Sequence, residues 1–143
     1  MAVSNTAVFP QTPKRGMVQV ANADGTTKKT VVTAGANGSK IVAVTAASDD
    51  TGNRTFNIYV TRSGTSYLLG TVTIPTLAGT DGSAPAIDIL GGGITNQIPG
   101  LPVDNDGQRY ILLESGDTLQ AALTTGAVTA AKTVHLSAVY ADF

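Results

Sequence analysis

The sequence predicts an all-β protein, an antiparallel β-sandwich in its eight-stranded jelly-roll form, preceded by an extended N-terminal arm. Three observations predict it. Residues 39–75, SKIVAVTAASDDTGNRTFNIYVTRSGTSYLLGTVTIP, read as three strands in succession with polar turns between them. Within residues 54–62, Phe56, Ile58 and Val60 alternate with Thr55, Asn57, Tyr59 and Thr61, the period of two that marks a half-buried strand. About eight such segments recur along the chain at spacings of ~8 to 12 residues, rich in β-branched side chains and almost free of helical periodicity. A seven-stranded immunoglobulin-like sandwich is the alternative topology, but the Cys and Trp hallmarks of antibody domains are missing.

Residues 1–15 form the expected arm: AVFPQTPKRG carries two prolines and few packing side chains. Residues 16–143 form the expected single domain. Its first strands, residues 17–21 and 27–33, flank Asp24-Gly25, a hairpin signal, so these two are expected to pair. A Gly-rich turn at residues 34–38 leads to a strand at 40–47, and the polar turn Asp49-Asp50-Thr51-Gly52-Asn53 leads to the strand at 54–62. Ser63-Gly64-Thr65 turns the chain into residues 66–74, where Leu68, Val72 and Ile74 are expected on one face and Gly70 predicts a bulge or a close backbone approach.

From 75 to 102 the pattern breaks. Gly79, Gly82, Gly91-Gly92-Gly93, Pro85, Pro99 and Pro102 punctuate a long excursion in which only residues 84–90 suit a helical turn. A connection of this length crosses between sheets or forms a binding surface. Alternation resumes at residues 109–114, 117–123 and 132–141.

At 143 residues, folding hides roughly 68% of the unfolded chain's surface, enough for a core without metal or disulfide support. Cysteine is absent, which removes disulfides and thiolate metal sites. A net charge of -1 argues against phosphate-driven nucleic-acid binding, and no run approaches the ~20 apolar residues of a membrane span. No secretory signal is read at the start. With 13% charged residues the surface must be built largely from Thr, Ser, Asn, Gln and Gly, which suits contacts with other subunits.

Candidate sites are few. His135 is the single histidine, so any Ser-His-Asp mechanism must use it and a multi-histidine metal site is excluded; its strand places it with Thr133, Ser137 and Val139, opposite the apolar set. Glu114 and Asp117 flank the tight turn Ser115-Gly116, where paired carboxylates ordinarily face solvent rather than a sugar. Asp104-Asn105-Asp106-Gly107 has the tail of a calcium loop, but Pro102 stands where the first ligand belongs and the closing Glu is missing, so a turn is the stronger reading. The triple glycine lacks the Lys-Ser/Thr of a phosphate loop and reads as flexible backbone. Tyr59, Tyr67, Tyr110 and Tyr140 could stack on a sugar or base, although they fall on four strands. Lys14 and Arg15 are candidate partner contacts in the arm, and Tyr67 and Tyr110 are candidates on the body.

In residues 33–70, a T-A-G turn, the strand Lys-Ile-Val-Ala-Val, an Asp-Thr-Gly turn, Arg-Thr-Phe-Asn-Ile-Tyr-Val and Tyr-Leu-Leu-Gly follow one another. Residues 101–121, LPVDNDGQRYILLESGDTLQA, continue with a turn, a strand and a Gly-Asp-Thr-Leu strand. This order resembles small β-sandwich proteins on the virions of tailed bacteriophages, in particular jelly-roll head decoration, or cement, proteins. The resemblance implies a virion structural protein on the capsid exterior, made in the host cytoplasm. Its partners would be the major capsid protein and its own copies as a dimer or trimer, with no direct nucleic acid, no membrane, no cofactor and no enzymatic turnover. The alternative is a phage tail, baseplate or fibre component attaching to host glycans. A hydrolase using His135 is a third class.

Overall fold

The computed structural model describes residues 9–91, 98 and 100–143. Nine strands are described: β1 (Thr12–Ala21), β2 (Lys29–Thr33), β3 (Ser39–Ser48), β4 (Arg54–Arg62), β5 (Thr65–Ile74), β6 (Ile87–Asp88), β7 (Ile111–Leu113), β8 (Thr118–Leu123) and β9 (Thr133–Asp142). They form two antiparallel sheets. One is ordered β1-β9-β3-β6 with β7 also on β3, and the other is β2-β8-β4-β5. β6 pairs with Thr45 and Ala46, and β7 with Ser39, Lys40 and Ile41. They are therefore two pieces of one lane beside β3, and eight lanes wound alternately between two sheets are the jelly roll. The strand count exceeds eight because that lane is broken.

Alternation in the strands fills the space between the sheets. Val20, Ile41, Val44, Val134, Leu136 and Ala138 from the first sheet meet Val32, Phe56, Ile58, Val72, Ile74 and Leu119 from the second, all nearly inaccessible to solvent. Phe56 is among the largest of these side chains and is fully enclosed. Truncating such a phenyl ring to a methyl costs about 3–5 kcal/mol.

β1 and β2 do not form a hairpin. Asn22–Asp24 is a single 3-10 turn, and β1 then pairs with β9 while β2 pairs with β8 in the other sheet. The Asp24 carboxylate accepts the Ala21 amide at 2.8 Å and binds Lys29 at 2.8 Å, which stabilises the crossing. Gly16 lets the two strands stack face to face, since a Cβ there would run into the Val31 carbonyl oxygen. The Asp-Gly signal thus marks a turn between sheets rather than within one.

β1 begins at Thr12, so residues 12–15 of the expected arm lie in a strand, with Thr12 opposite Asp142 and Lys14 opposite Tyr140. Residues 1–8 lie outside the described residues. Between β4 and β5, Ser63 and Gly64 adopt φ of 50° and 80°, the two positive values required in the type I′ turn of a two-residue hairpin. The bulge signalled by Gly70 is present: Ile58 pairs with Gly70 but Tyr59 with Leu68, skipping Leu69. The extra residue reverses the facing expected there. Leu69 packs against the core, whereas Leu68 is 57% exposed.

The excursion from 75 to 102 crosses from β5 to the β6/β7 lane, and no helical turn forms at 84–90, where Ile87–Asp88 is instead a short strand. Ile87 is opposite Ala46 on the ladder, and pairing of this backbone with β3 wins over a weak helical pattern interrupted by Pro85. Ala78, Ile89, Leu90 and Ile98 are buried in the main core. The excursion therefore closes the sandwich as well as presenting surface. Gly92 and Gly93 fall outside the described residues.

Candidate functional site

The ionisable groups inside the fold hold turns together. Asp50 is fully buried at the end of β3, where its carboxylate accepts Arg54 Nε at 2.6 Å, the Thr129 amide at 2.9 Å, the Thr129 hydroxyl at 2.7 Å and the Gly52 amide at 3.1 Å. Burial alone would raise its pKa, but these donors outweigh it and hold the carboxyl far below the usual range. Asp117 is gripped by Arg62 through Nε–Oδ1 at 2.8 Å and a second bond to Oδ2 at 2.7 Å, and it also accepts the Glu114 amide at 2.9 Å. The Arg62 guanidinium depresses the Asp117 pKa. Glu114 stands 3.3 Å from the same guanidinium, so the two carboxylates at this turn share a cation rather than face an open site.

Asp104 is likewise engaged locally. One of its oxygens accepts the amides of Asp106 and Gln108 at 3.0 and 2.9 Å, and Gly107 takes a φ of 81°. This is an Asx-type turn feeding the bridge between Val103 and Arg109. Among the described residues, no group of three or more His, Cys, Asp or Glu side chains is placed to hold a metal ion. No described helix is long and apolar enough to cross a membrane. His135 lies exposed on β9 with its Nε2 3.0 Å from the Thr133 hydroxyl, on the face read from its strand.

The four candidate contacts are not brought together. Lys14 is bound within the fold: its ammonium pairs with Asp142 at 2.5 Å, raising the Lys14 pKa, and Asp142 also receives the Ser39 hydroxyl. Arg15 is exposed, opposite Val139, and makes no ion pair among the described residues. Tyr67 is 58% exposed at the edge of the second sheet, beside a shallow cleft of about 360 Å³ lined with Val60, Arg62 and Leu69. Tyr110 is at the opposite sheet, with Lys40 Nζ 4.5 Å above its ring.

Both outer faces carry polar side chains. On the β2-β8-β4-β5 sheet, side chains bond one another: Thr55 with Thr73, Thr71 with Asn57, Thr61 with both Ser66 and Gln120, and Gln120 with Thr30. That is a solvated face. The outer face of the β1-β9-β3 sheet is mixed: Met17 is 72% exposed on β1 and Leu112 57% exposed on β7 beyond β3, and Val42, Ala43, Val139 and Ala141 share the face with Gln19, Thr45, His135 and Ser137. Sequence reading singled out neither Met17 nor Leu112.

Fold and geometry together define a jelly-roll β-sandwich. No protein-family model matches the chain, and no curated protein matches it. Among solved structures it is similar to a chain titled "Cyanophage Pam1 capsid asymmetric unit", at 17% identity and a TM-score of 0.45, with 100% of this chain and 94% of that chain covered. A likeness at that TM-score carries no functional argument, so the function is argued from the residues.

Proposed function

We propose that the chain is a virion structural protein that binds the outside of a tailed-phage capsid and stabilises contacts between major capsid protein subunits. Asp50 and Asp117, the buried carboxylates of the jelly roll, are both engaged with arginines and backbone amides. What remains to meet a partner is strand faces, edges and turns. The observation that carries the reading is the order of strands and turns over residues 33–70 and 101–121, which resembles phage head decoration proteins.

The mechanism is mechanical. A decoration protein repeated over a symmetric lattice gains strength from many modest contacts made at once, and each copy that bridges two capsid subunits makes their separation cost both interfaces. The chain acts without turnover or a cofactor, as a dimer or trimer on the capsid exterior, after synthesis in the host cytoplasm. The test is to add purified protein to heads that lack it and to follow co-sedimentation and head stability on heating. Saturable attachment with a raised disruption temperature is expected, and heads that neither bind nor gain stability overturn the proposal.

A second reading, a tail or fibre component that attaches to host glycans, is favoured by one feature: Tyr67 is exposed beside an open cleft with Val60, Leu69 and Arg62. An aromatic face beside a guanidinium suits a sugar ring. Binding on a glycan array that Tyr67→Ala abolishes would favour that reading over the first.

A further inference from the structure

We propose that β5 is a self-association edge, where residues 66–68 pair antiparallel with the same residues of a second copy about a two-fold axis at Tyr67. The pairing gives the self-association in the proposed function a surface, and it rests on the edge itself rather than on the capsid reading.

β5 ends the β2-β8-β4-β5 sheet and pairs with β4 alone. The two strands meet in a two-residue hairpin, so the flanking pair Arg62 and Thr65 is hydrogen-bonded and the bonding alternates from there. Thr65 and Tyr67 aim their backbone groups at β4. Ser66 and Leu68 aim theirs at the open edge, and no backbone group of another segment among the described residues bonds them. An edge of this kind presents the hydrogen bonds of a strand, so its complement is another strand. The side chains agree, since Tyr67 is 58% exposed and Leu68 57%, and neighbours in a strand point to opposite faces. A body docked on either face would leave one of them in water, whereas a strand added at the edge covers both.

A second copy is the occupant this edge fits. Soluble β proteins guard open edges with charge, with proline or by keeping them short. β1 carries Pro13, Lys14 and Arg15, β2 begins at Lys29, and β6 and β7 are two and three residues long. β5, TSYLLGTVTI, has no charge and no proline over ten residues. Its bulge at Leu69 confines a regular partner to the stretch before it. Every copy carries the same unguarded stretch, and antiparallel pairing about a two-fold axis is self-complementary and closes at two. With the axis at Tyr67, Ser66 of each copy faces Leu68 of the other in a hydrogen-bonded pair, and the two Tyr67 rings meet in the closer, non-hydrogen-bonded one. The clefts lined by Val60, Arg62, Tyr67 and Leu69 are thereby brought together. Charge does not oppose this, because Arg62 is held by Asp117 and Glu114 of its own copy.

The test is analytical ultracentrifugation of the full chain over a range of concentrations, joined to amide hydrogen exchange read by NMR. A monomer–dimer equilibrium is expected. In it the Ser66 and Leu68 amides are protected at high concentration and exposed on dilution, while the Tyr67 amide, bonded to β4, stays protected throughout. Ser66→Pro removes an amide that points away from β4, and Leu68→Lys supplies the charge the edge lacks. Met17→Lys, on the other sheet, is the control. Circular dichroism and the thermal midpoint confirm folding, and the wild-type exchange pattern decides the matter even where an edge variant does not fold. Each edge variant is expected to raise the dimer dissociation constant about tenfold or more, with Met17→Lys within about twofold of wild type. A wild type that is monomeric at every concentration, or trimeric, overturns the proposal. So does a dimer that the edge variants leave as tight, or whose Ser66 and Leu68 amides gain no protection. None of these results bears on head binding, and a dimeric wild type that fails to bind heads sinks the capsid reading while the pairing stands.

Discussion

Asp50 and Thr129, 79 residues apart in the chain, are joined by two hydrogen bonds: the Thr129 amide and hydroxyl each donate to a different oxygen of the Asp50 carboxylate, at 2.9 and 2.7 Å. Arg54 completes the cluster, reaching Asp50 through Nε and Thr129 through its terminal nitrogen at 2.9 Å. The turn between β3 and β4 is thereby tied to the loop that leads into β9. Removing one partner of a buried pair leaves the other uncompensated. Asp50→Ala is expected to lower the unfolding free energy by about 3 kcal/mol, read from urea denaturation. A loss within experimental error would show that the cluster does not hold the turn.

Acid should unfold the protein through the same groups. The pKa values of Asp50, Asp117 and Asp142 are all lowered in the folded chain from an ordinary value of 3.8. A carboxyl whose folded pKa is depressed contributes stability that is present above the unfolded value and is lost as pH falls through the folded one. Stability set by these groups is therefore expected to be level between about pH 7 and 5 and to decline below about pH 4. Asp50→Asn should make the acid decline shallower while lowering stability at neutral pH. An acid limb as steep in that variant as in the wild type would assign the effect to other groups.

Gly16 tests the stacking of β1 on β2. A Cβ at this position meets the Val31 carbonyl oxygen, which belongs to backbone rather than to a movable side chain. Gly16→Ala should destabilise by about 1–3 kcal/mol, the usual cost of overpacking, with no change in the slope of the denaturation curve. Gly64→Ala makes a useful comparison. Its added methyl meets nothing, but φ is 80°, so its cost comes from the backbone alone.

The first residues of β1 were expected to belong to an extended arm outside the folded domain. Because residues 12–15 pair with β9 and Lys14 binds Asp142, removing residues 1–15 should lower stability by about 1–3 kcal/mol rather than leave it unchanged. Thermal unfolding of the truncated chain checks this. An unaltered midpoint would mean that the pairing of residues 12–15 with β9 contributes nothing to stability.

Much of this fold was legible because alternation is a local signal. The strands around Phe56, Leu119 and Val134 lie where their period of two places them, and Gly70 correctly marked a bulge. Partner choice was less legible. Asp24-Gly25 looks the same whether the chain turns back on its neighbour or crosses to the facing sheet, and the crossing is set by β8 and β9, about a hundred residues away. Leu68 and Leu69 exchanged faces because a bulge shifts the parity of every later residue in its strand. Of the site, the neutralised carboxylates Glu114 and Asp117 were readable as a turn, whereas the Arg62 that binds them arrives from a distant strand.

The most direct measurement is a cryo-electron microscopy map of the intact particle that carries this protein. The account predicts jelly-roll density on the outer surface of the capsid, spanning neighbouring capsid subunits. Density confined to the tail or fibres would contradict it.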